Sequence, residues 1–179
     1  TIGSRKEKDG LFLFDRANGA YLQPGSTIKP IAVYAPAIED KIVNFSSLIS
    51  DTAIQDWAYD ANGNIVAGPN NWYEGYRGNI TVMTALEISS NAATVNLLNQ
   101  IGMRESYNFK LAHLDPDQDS KNIVAMSMGG VHGGTTVREM TASYIPFCNG
   151  GTYYEPYTYY YVTDQDNNII LDQRDKRVS

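Results

Sequence analysis

The fold depends on the stretch Gln23-Pro24-Gly25-Ser26-Thr27-Ile28-Lys29-Pro30. Its Pro-Gly pair is a strong turn signal, and the residues after it predict a helix over about 26–40. We expect Pro36 to kink or shorten that helix. Because positions i and i+3 lie on one helical face, the Ser26 hydroxyl and the Lys29 amine are expected to come within hydrogen-bond reach.

A serine and a lysine in this arrangement have two possible uses. A serine hydroxyl is a poor nucleophile until a base takes its proton, and a lysine is a base only when its amine is neutral. Partial burial, or the positive end of a helix, lowers the lysine pKa and favours that neutral form. Ser26 is therefore either a nucleophile activated by Lys29, or a helix cap beside a solvated charge. The flanking Pro-Gly and Pro make the pattern more specific than Ser-x-x-Lys alone.

Ser89-Ser90-Asn91 is predicted to break two helices, the second of which runs over 92–101. Such a break can aim Ser89 and Asn91 into a cleft. A hydroxyl there could relay a proton, and an amide could hold both the lysine and a substrate carbonyl. Serine and asparagine are also the favoured N-cap residues, so taken alone the pattern favours simple capping.

Other local signals fill in the chain. The Asn62-Gly63 pair predicts a β-hairpin. Thr136-Val137-Arg138-Glu139 fits a capping box and predicts a helix that continues through Phe147. The β-rich segments 157–162 and 169–171 predict a second hairpin.

Composition narrows the class of protein. The chain has 179 residues, a net charge of −6 and one cysteine, Cys148, which we predict to be a small buried hydrophobe. Acidic charge without a basic block argues against nucleic acid or an anionic membrane surface as a partner. His113 and His132 lack metal-ligand spacing, and no phosphate-binding or dinucleotide motif occurs, so we predict neither metal nor cofactor. No signal peptide or membrane-spanning apolar run is found.

Ser-x-x-Lys followed downstream by Ser-x-Asn resembles the transpeptidase domain of penicillin-binding proteins. The segments that make the chain similar to the class A branch of that family are Tyr76-Arg77-Gly78, Thr84-Ala85-Leu86, Met128-Gly129-Gly130 and Asn149-Gly150-Gly151-Thr152-Tyr153. The resemblance runs from about Phe14 to Pro156. It implies an α/β (α+β) fold of the penicillin-binding-protein and serine β-lactamase type. In that fold helices pack on an antiparallel sheet, and we expect helices to dominate in this chain.

The same resemblance implies roles for four residues. Ser26 would attack the carbonyl of a D-Ala-D-Ala stem peptide and form an acyl-enzyme, with Lys29 as its base and its own backbone N–H in the oxyanion hole. Ser89 would pass the proton to the departing D-alanine, and Asn91 would hold Lys29 and the substrate amide. A second stem peptide would accept the acyl group, and β-lactams would be trapped at Ser26. The implied location is the extracytoplasmic face of the bacterial cell membrane, with the anchor outside this chain.

One family motif has no match, because no lysine is followed by Thr-Gly or Ser-Gly. We therefore expect residues 1–179 to be a partial transpeptidase domain, truncated at both ends, whose remainder is missing or supplied by another chain. Two alternatives stay open. One is a related acyl enzyme, a D,D-carboxypeptidase or a serine β-lactamase, although no glutamate motif for fast deacylation is visible. The other is a non-catalytic β-lactam sensor, which would share the motifs.

Overall fold

The computed structural model describes residues 14–102, 123–174 and 177–178. They form two compact units, one spanning Gln23–Gly134 and the other combining the described residues before Gln23 with those after Gly134. Over these residues the strands form five two-stranded ladders, all of them antiparallel. The helices and antiparallel strands of the predicted class are therefore present. Within the Gln23–Gly134 unit a helix, residues 91–101, packs against an antiparallel strand pair, residues 48–51 and 78–81.

The segment after the Pro-Gly turn is helical from Gly25 to Glu39, within one residue of the predicted bounds. It begins as a 3-10 turn, Gly25–Ile28, widens into a π-helical turn, Pro30–Tyr34, and ends as α1, Ala35–Glu39. The widened turn lies directly before Pro36, which has no N–H to donate to the helix ladder. The disturbance predicted at Pro36 is thus a change of helix type.

This helical segment and α3, Asn91–Ile101, supply most of the core of the Gln23–Gly134 unit. The buried apolar side chains of the two helices are Ile28, Ile31, Ala32, Val33, Tyr34, Pro36, Ala37, Ala92, Ala93, Val95, Leu97, Leu98 and Ile101. One polar contact lies among them, a 3.0 Å hydrogen bond between the Tyr34 and Thr94 hydroxyls. Burial raises the pKa of Tyr34 to about 12, so this phenol stays neutral.

Strand β2, Leu48–Asp51, lies beside α3. It pairs with β5, Gly78–Thr81, and packs against α3. The Asn96 side chain on α3 reinforces that packing, because its Nδ2 donates to the carbonyls of Ser50 and Thr52 at 2.9 and 3.0 Å. The end of β2 is thereby fixed beside α3.

The predicted break between two helices is confirmed. Helix α2, Val82–Glu87, begins where the Thr81 hydroxyl accepts a hydrogen bond from Thr84 N, and α3 begins at Asn91. Gly102 ends α3 with a φ of 88°, as its position predicts.

The predicted Asn-Gly hairpin is also confirmed, between β3, Ile54–Tyr59, and β4, Ile65–Gly68. Its turn is local, since Asp60 Oδ1 accepts from the backbone N–H groups of Asn62 and Asn64, each at 2.8 Å. Gly63 takes the positive φ, 82°, that the turn requires.

The second unit contains three of the ladders. Strand β1, Tyr21–Leu22, pairs with β6, Thr135–Thr136, and β7, Tyr153–Tyr154, pairs with β10, Arg177–Val178. The predicted second hairpin is confirmed with shorter strands: its first strand, β8, is Tyr161–Thr163 and its second, β9, is Ile169–Asp172. Strand β10 had no counterpart in the sequence predictions.

Two predictions in this unit are wrong. The helix that follows the capping box, α5, Val137–Ala142, ends before Phe147, and the chain continues as a 3-10 turn, Ile145–Cys148. Pro146 explains the early end, since it lacks an N–H and disfavours α geometry in the residue before it. Cys148, predicted to be buried, lies exposed on that turn.

The remaining helix, α4, is Ile123–Met128. Across the described ranges no helix has the length and apolar character needed to cross a membrane. Of the two histidines, His132 is exposed and His113 lies outside the described residues.

Candidate active site

Ser26 lies on the surface of the 3-10 turn that opens the first helical segment. Gly25 precedes it with a φ of 56°, and the Lys29 N–H donates to the Ser26 carbonyl, which closes the turn. Within the described residues the Ser26 hydroxyl makes no hydrogen bond, so the predicted contact with the Lys29 amine is not formed. The reason lies at Lys29, whose amine has other partners.

Lys29 is a buried lysine with only 2% of its surface exposed. Its Nζ donates to the Ser89 carbonyl at 2.8 Å, to the Ser89 hydroxyl at 3.2 Å and to Asn91 Oδ1 at 2.7 Å. An ammonium has three N–H donors, so these acceptors use all of them. Burial lowers the pKa of Lys29 from its ordinary value of 10.5 to about 8, because desolvation penalises the charged form.

In the break between α2 and α3, one residue caps the helix and its two neighbours contact Lys29. Ser90 is the N-cap, and its hydroxyl accepts from Ala93 N at 3.0 Å. Ser89 sits just before it with a φ of 51°, a left-handed conformation that is uncommon for serine. The capping interpretation is therefore correct for Ser90, while Ser89 and Asn91 meet Lys29.

Asn91 is held from both ends of its amide. Its Oδ1 accepts from the Lys29 ammonium, and its Nδ2 donates to the Asn70 carbonyl at 2.8 Å. The donor and acceptor ends of the amide are thereby each given a matching partner. The side chain has little freedom to turn its oxygen away from the lysine.

Two residues of this neighbourhood were missed by sequence reasoning. Asp51, at the end of β2, is fully buried and accepts hydrogen bonds from four donors around the break. Asn71 lies between Asp51 and the first turn of α3. The sequence carries no spacing signal for either residue, since both reach partners across 20 residues or more.

The segment that follows α4 packs against the turn that contains Gly25 and Ser26. Gly129 packs so closely on Gly25 that a Cβ at Gly129 would lie 2.2 Å from the Gly25 carbonyl oxygen. Gln23 adds a hydrogen bond from Nε2 to the Val131 carbonyl at 2.7 Å. The glycine-dense segment 129–134 is therefore packed closely against the Pro-Gly turn.

The arrangement suits acyl transfer through a serine. It presents an accessible hydroxyl on the first turn of a helix and, on the same segment, a buried amine with a lowered pKa. Beside the amine lies the Ser89 hydroxyl, which can both accept and donate a proton. These are the parts of the serine–lysine class of acyl-transfer proteins.

The comparisons with known proteins agree with that class. Residues 5–178 match the family described as the penicillin binding protein transpeptidase domain. The chain is 37% identical to penicillin-binding protein 1A of Clostridium acetobutylicum over 169 residues, which cover 89% of this chain and 20% of that protein.

Two solved structures show the same fold. Penicillin-binding protein 1A from Haemophilus influenzae aligns with a TM-score of 0.70 at 24% identity, covering 89% of this chain and 23% of that one. PonA1 from Mycobacterium tuberculosis, in complex with penicillin V, aligns with a TM-score of 0.69 at 19% identity, covering 89% of this chain and 43% of that one.

The chain belongs to the penicillin-binding protein transpeptidase domain family, and within it to the class A proteins. The predicted family and fold class are thus confirmed. The chain spans about a fifth of the length of the curated relatives that it matches.

Proposed function

We propose that the protein carrying this chain is a D,D-transpeptidase that cross-links peptidoglycan stem peptides through an acyl-enzyme at Ser26. We further propose that residues 1–179 are a partial transpeptidase domain, a reading that fits the small share of its relatives' length that the chain covers. The observation that carries the proposal is Lys29, a buried amine of lowered pKa held between Ser89 and Asn91.

In the first step Ser26 Oγ attacks the carbonyl carbon of the penultimate D-alanine. Neutral Lys29 takes the hydroxyl proton, and the Ser26 N–H is one donor to the developing oxyanion. With a pKa of about 8, about one tenth of Lys29 is neutral at pH 7, against about one in three thousand for an unperturbed lysine. Burial therefore supplies a usable base.

In the second step the peptide C–N bond breaks and the terminal D-alanine leaves. Its nitrogen needs a proton, which Lys29 now carries and the Ser89 hydroxyl can pass on, since it lies 3.2 Å from Nζ. The amine of a second stem peptide then attacks the ester carbonyl and gives its own proton back along that path. The products are a cross-link and a restored Ser26 hydroxyl.

The proposed ligands follow from this chemistry. Stem peptides ending in D-Ala-D-Ala are the substrates, and β-lactams acylate Ser26 in their place. The exposure of Ser26 suits attack on a substrate that belongs to a polymer. PonA1, a structural neighbour solved with penicillin V, supports the β-lactam assignment. Such substrates place the protein at the extracytoplasmic face of the bacterial membrane.

The alternatives differ in the fate of the acyl-enzyme. Water rather than an amine would accept the acyl group in a D,D-carboxypeptidase or a serine β-lactamase, and neither would accept it in a sensor. Ser26, Lys29, Ser89 and Asn91 would have the same places in all of them. Membership of class A favours the transpeptidase.

Labelling with a fluorescent penicillin tests the proposal in the protein that carries this chain. We expect covalent label that is lost in Ser26→Ala and kept in Ser46→Ala, which changes an exposed serine that is not one of the four proposed site residues. Label persisting in Ser26→Ala would refute the assignment. Rapid loss of label would identify a lactamase, and a stable adduct without cross-linking of stem peptides would identify a sensor.

The isolated chain 1–179 should be acylated poorly, because the Lys-Thr/Ser-Gly motif that completes the site in the family is not found in it. Mass spectrometry of the chain after incubation with penicillin measures this. A stoichiometric adduct would refute the proposal that the domain is partial.

A further inference from the structure

The first turn of α3 is held from outside its own sequence. The N–H groups of Asn91 and Ala92 donate to Asn71 Oδ1 at 2.8 and 3.2 Å. The first N–H groups of a helix have no partner within the helix, so a foreign acceptor is needed to satisfy them. Asn71 supplies that acceptor from a segment 20 residues away.

Asn71 is oriented in turn by Asp51. Asn71 Nδ2 donates to Asp51 Oδ1 at 2.9 Å and to the Gly75 carbonyl at 3.2 Å, and these bonds point the opposite atom, Oδ1, at the helix. The same Asp51 oxygen accepts from the Ser90 hydroxyl at 2.9 Å. The other oxygen, Oδ2, accepts from the Tyr73 hydroxyl at 2.7 Å and from Arg77 N at 2.9 Å.

These four contacts require an ionised carboxylate. Each Asp51 oxygen receives two donors, and only a carboxylate offers two oxygens that accept without donating. Burial raises the pKa of Asp51, but the hydrogen bonds from Tyr73, Asn71, Arg77 N and Ser90 outweigh it, and the pKa lies below its ordinary value. The group is therefore charged at neutral pH.

We propose that Asp51 is a positioning residue for the acyl-transfer site, acting through Asn71 and Ser90 on the two residues that hold Lys29. This role rests on the proposed function. The path has three links: Asp51 fixes the Asn71 amide and the Ser90 hydroxyl, these fix the start of α3, and that start presents Ser89 and Asn91 to the ammonium.

The first test is Asp51→Asn, which keeps the shape but replaces one oxygen with an NH2 that cannot accept. Two of the four donors then lose their acceptor, and the turn should loosen. We expect the rate of labelling by fluorescent penicillin to fall about 10- to 100-fold, the size of effect that a small misplacement of a reacting group produces.

Amide hydrogen exchange measures how well the first turn of α3 is held, independently of any catalytic activity. In Asp51→Asn we expect the Asn91 and Ala92 amides to exchange at least about tenfold faster, while the Leu98 amide within α3 keeps its wild-type rate. If the wild-type protein is not labelled at all, the proposed function fails, and the exchange rates still decide whether Asp51 fixes the turn.

Asn96→Ala is the matched control. It removes hydrogen bonds to Ser50 and Thr52, the neighbours of Asp51 on either side, and so weakens the same strand against the same helix. It touches neither the break nor Lys29. We expect lower stability with unchanged labelling per folded molecule, measured below the unfolding midpoint of every variant.

The exchange variant Asp51→Asn with Asn71→Asp separates positioning from mere stability. It restores the hydrogen bond between the two side chains with donor and acceptor reversed, and it leaves an acceptor facing the Asn91 and Ala92 amides. It loses the 3.2 Å hydrogen bond from Asn71 Nδ2 to the Gly75 carbonyl. We expect recovery of at least about tenfold of the lost labelling rate and of the amide protection. Wild-type labelling in Asp51→Asn, unchanged Asn91 exchange, or equal loss in Asn96→Ala would overturn the proposal. If Asp51→Asn does not fold, Asn71→Ala is judged by the same two readouts.

Discussion

Two of the helices that begin with a hydroxyl cap, α3 and α5, satisfy their first turns in different ways. At α5 the two capping side chains bond within their own turn: Glu139 accepts from Thr136 N and the Thr136 hydroxyl at 2.9 and 2.8 Å, and that hydroxyl accepts from Glu139 N. The Arg138 N–H of the same turn donates to the Ala17 backbone carbonyl at 3.1 Å. At α3 the Ser90 hydroxyl takes only Ala93 N, and Asn71 takes the N–H groups of Asn91 and Ala92.

The difference shows how a helix start becomes available for chemistry. In the capping box, both polar side chains are used up by the backbone of their own turn. At α3 a distant amide does part of that work, so Asn91 Oδ1 and the carbonyl and hydroxyl of Ser89 are left to bind Lys29. When a side chain from another segment accepts from the first N–H groups of a helix, the helix's own side chains remain available to form a site.

The largest effect is expected from Lys29→Met, which keeps an unbranched stem in the buried position but removes the amine. The labelling rate with fluorescent penicillin should fall about 10³-fold, within the range for loss of a general base. The control Lys41→Met, at an exposed lysine, should label at the wild-type rate. Wild-type labelling by Lys29→Met would show that neither the Lys29 amine nor the residues that hold it take part in acylation.

The next largest effect should come from the residues that follow each cap. Asn91→Ala removes an acceptor of the Lys29 ammonium and should slow labelling about 10- to 100-fold. Val137→Ala changes the equivalent position of α5 and should have no effect on labelling. Equal labelling rates for the two variants would mean that Asn91 does not contribute to acylation.

The pH dependence of labelling should follow the lowered pKa of Lys29. The active form is the neutral amine, so the labelling rate should rise with pH through a midpoint of about 8 and level off above it. Well below the midpoint, the rate should fall about tenfold per pH unit. A stopped assay over a series of buffers measures this. A midpoint near 10.5, the ordinary value of lysine, would contradict the assigned base.

The smallest effects concern stability. Thr136→Ala should lower the free energy of unfolding by about 1 kcal/mol and Ser90→Ala by about 2 kcal/mol, because Ser90 is fully buried and also donates to Asp51. Urea unfolding of both variants gives the values. Only Ser90→Ala should also slow labelling, and a matching loss in Thr136→Ala would remove the distinction between the two caps.

The same distinction explains what the sequence could predict. The capping box at Thr136 and the hairpin turn at Gly63 follow from the sequence, because every partner lies within four residues. Local hydrogen bonds leave a fixed spacing in the sequence, and a spacing can be recognised.

The network behind α3 leaves no such spacing. Asp51 is separated from Asn71 by 20 residues and from Ser90 by 39, and neither residue type stands out in its own segment. The four candidate residues were predicted from two local patterns and given roles by the family resemblance, whereas their contacts depend on how strand β2 packs against α3. The expected contact of Ser26 with Lys29 failed for a related reason, since helical spacing takes no account of stronger acceptors elsewhere.

We propose that the Lys29 amine is a buried base held by Ser89 and Asn91. A pH titration of its side-chain NMR signal, in protein with isotope-labelled lysine and assigned by its loss in Lys29→Met, measures the pKa of this amine. We expect a midpoint of about 8. A midpoint at the ordinary lysine value of 10.5 would show a solvated charge and contradict the proposed role.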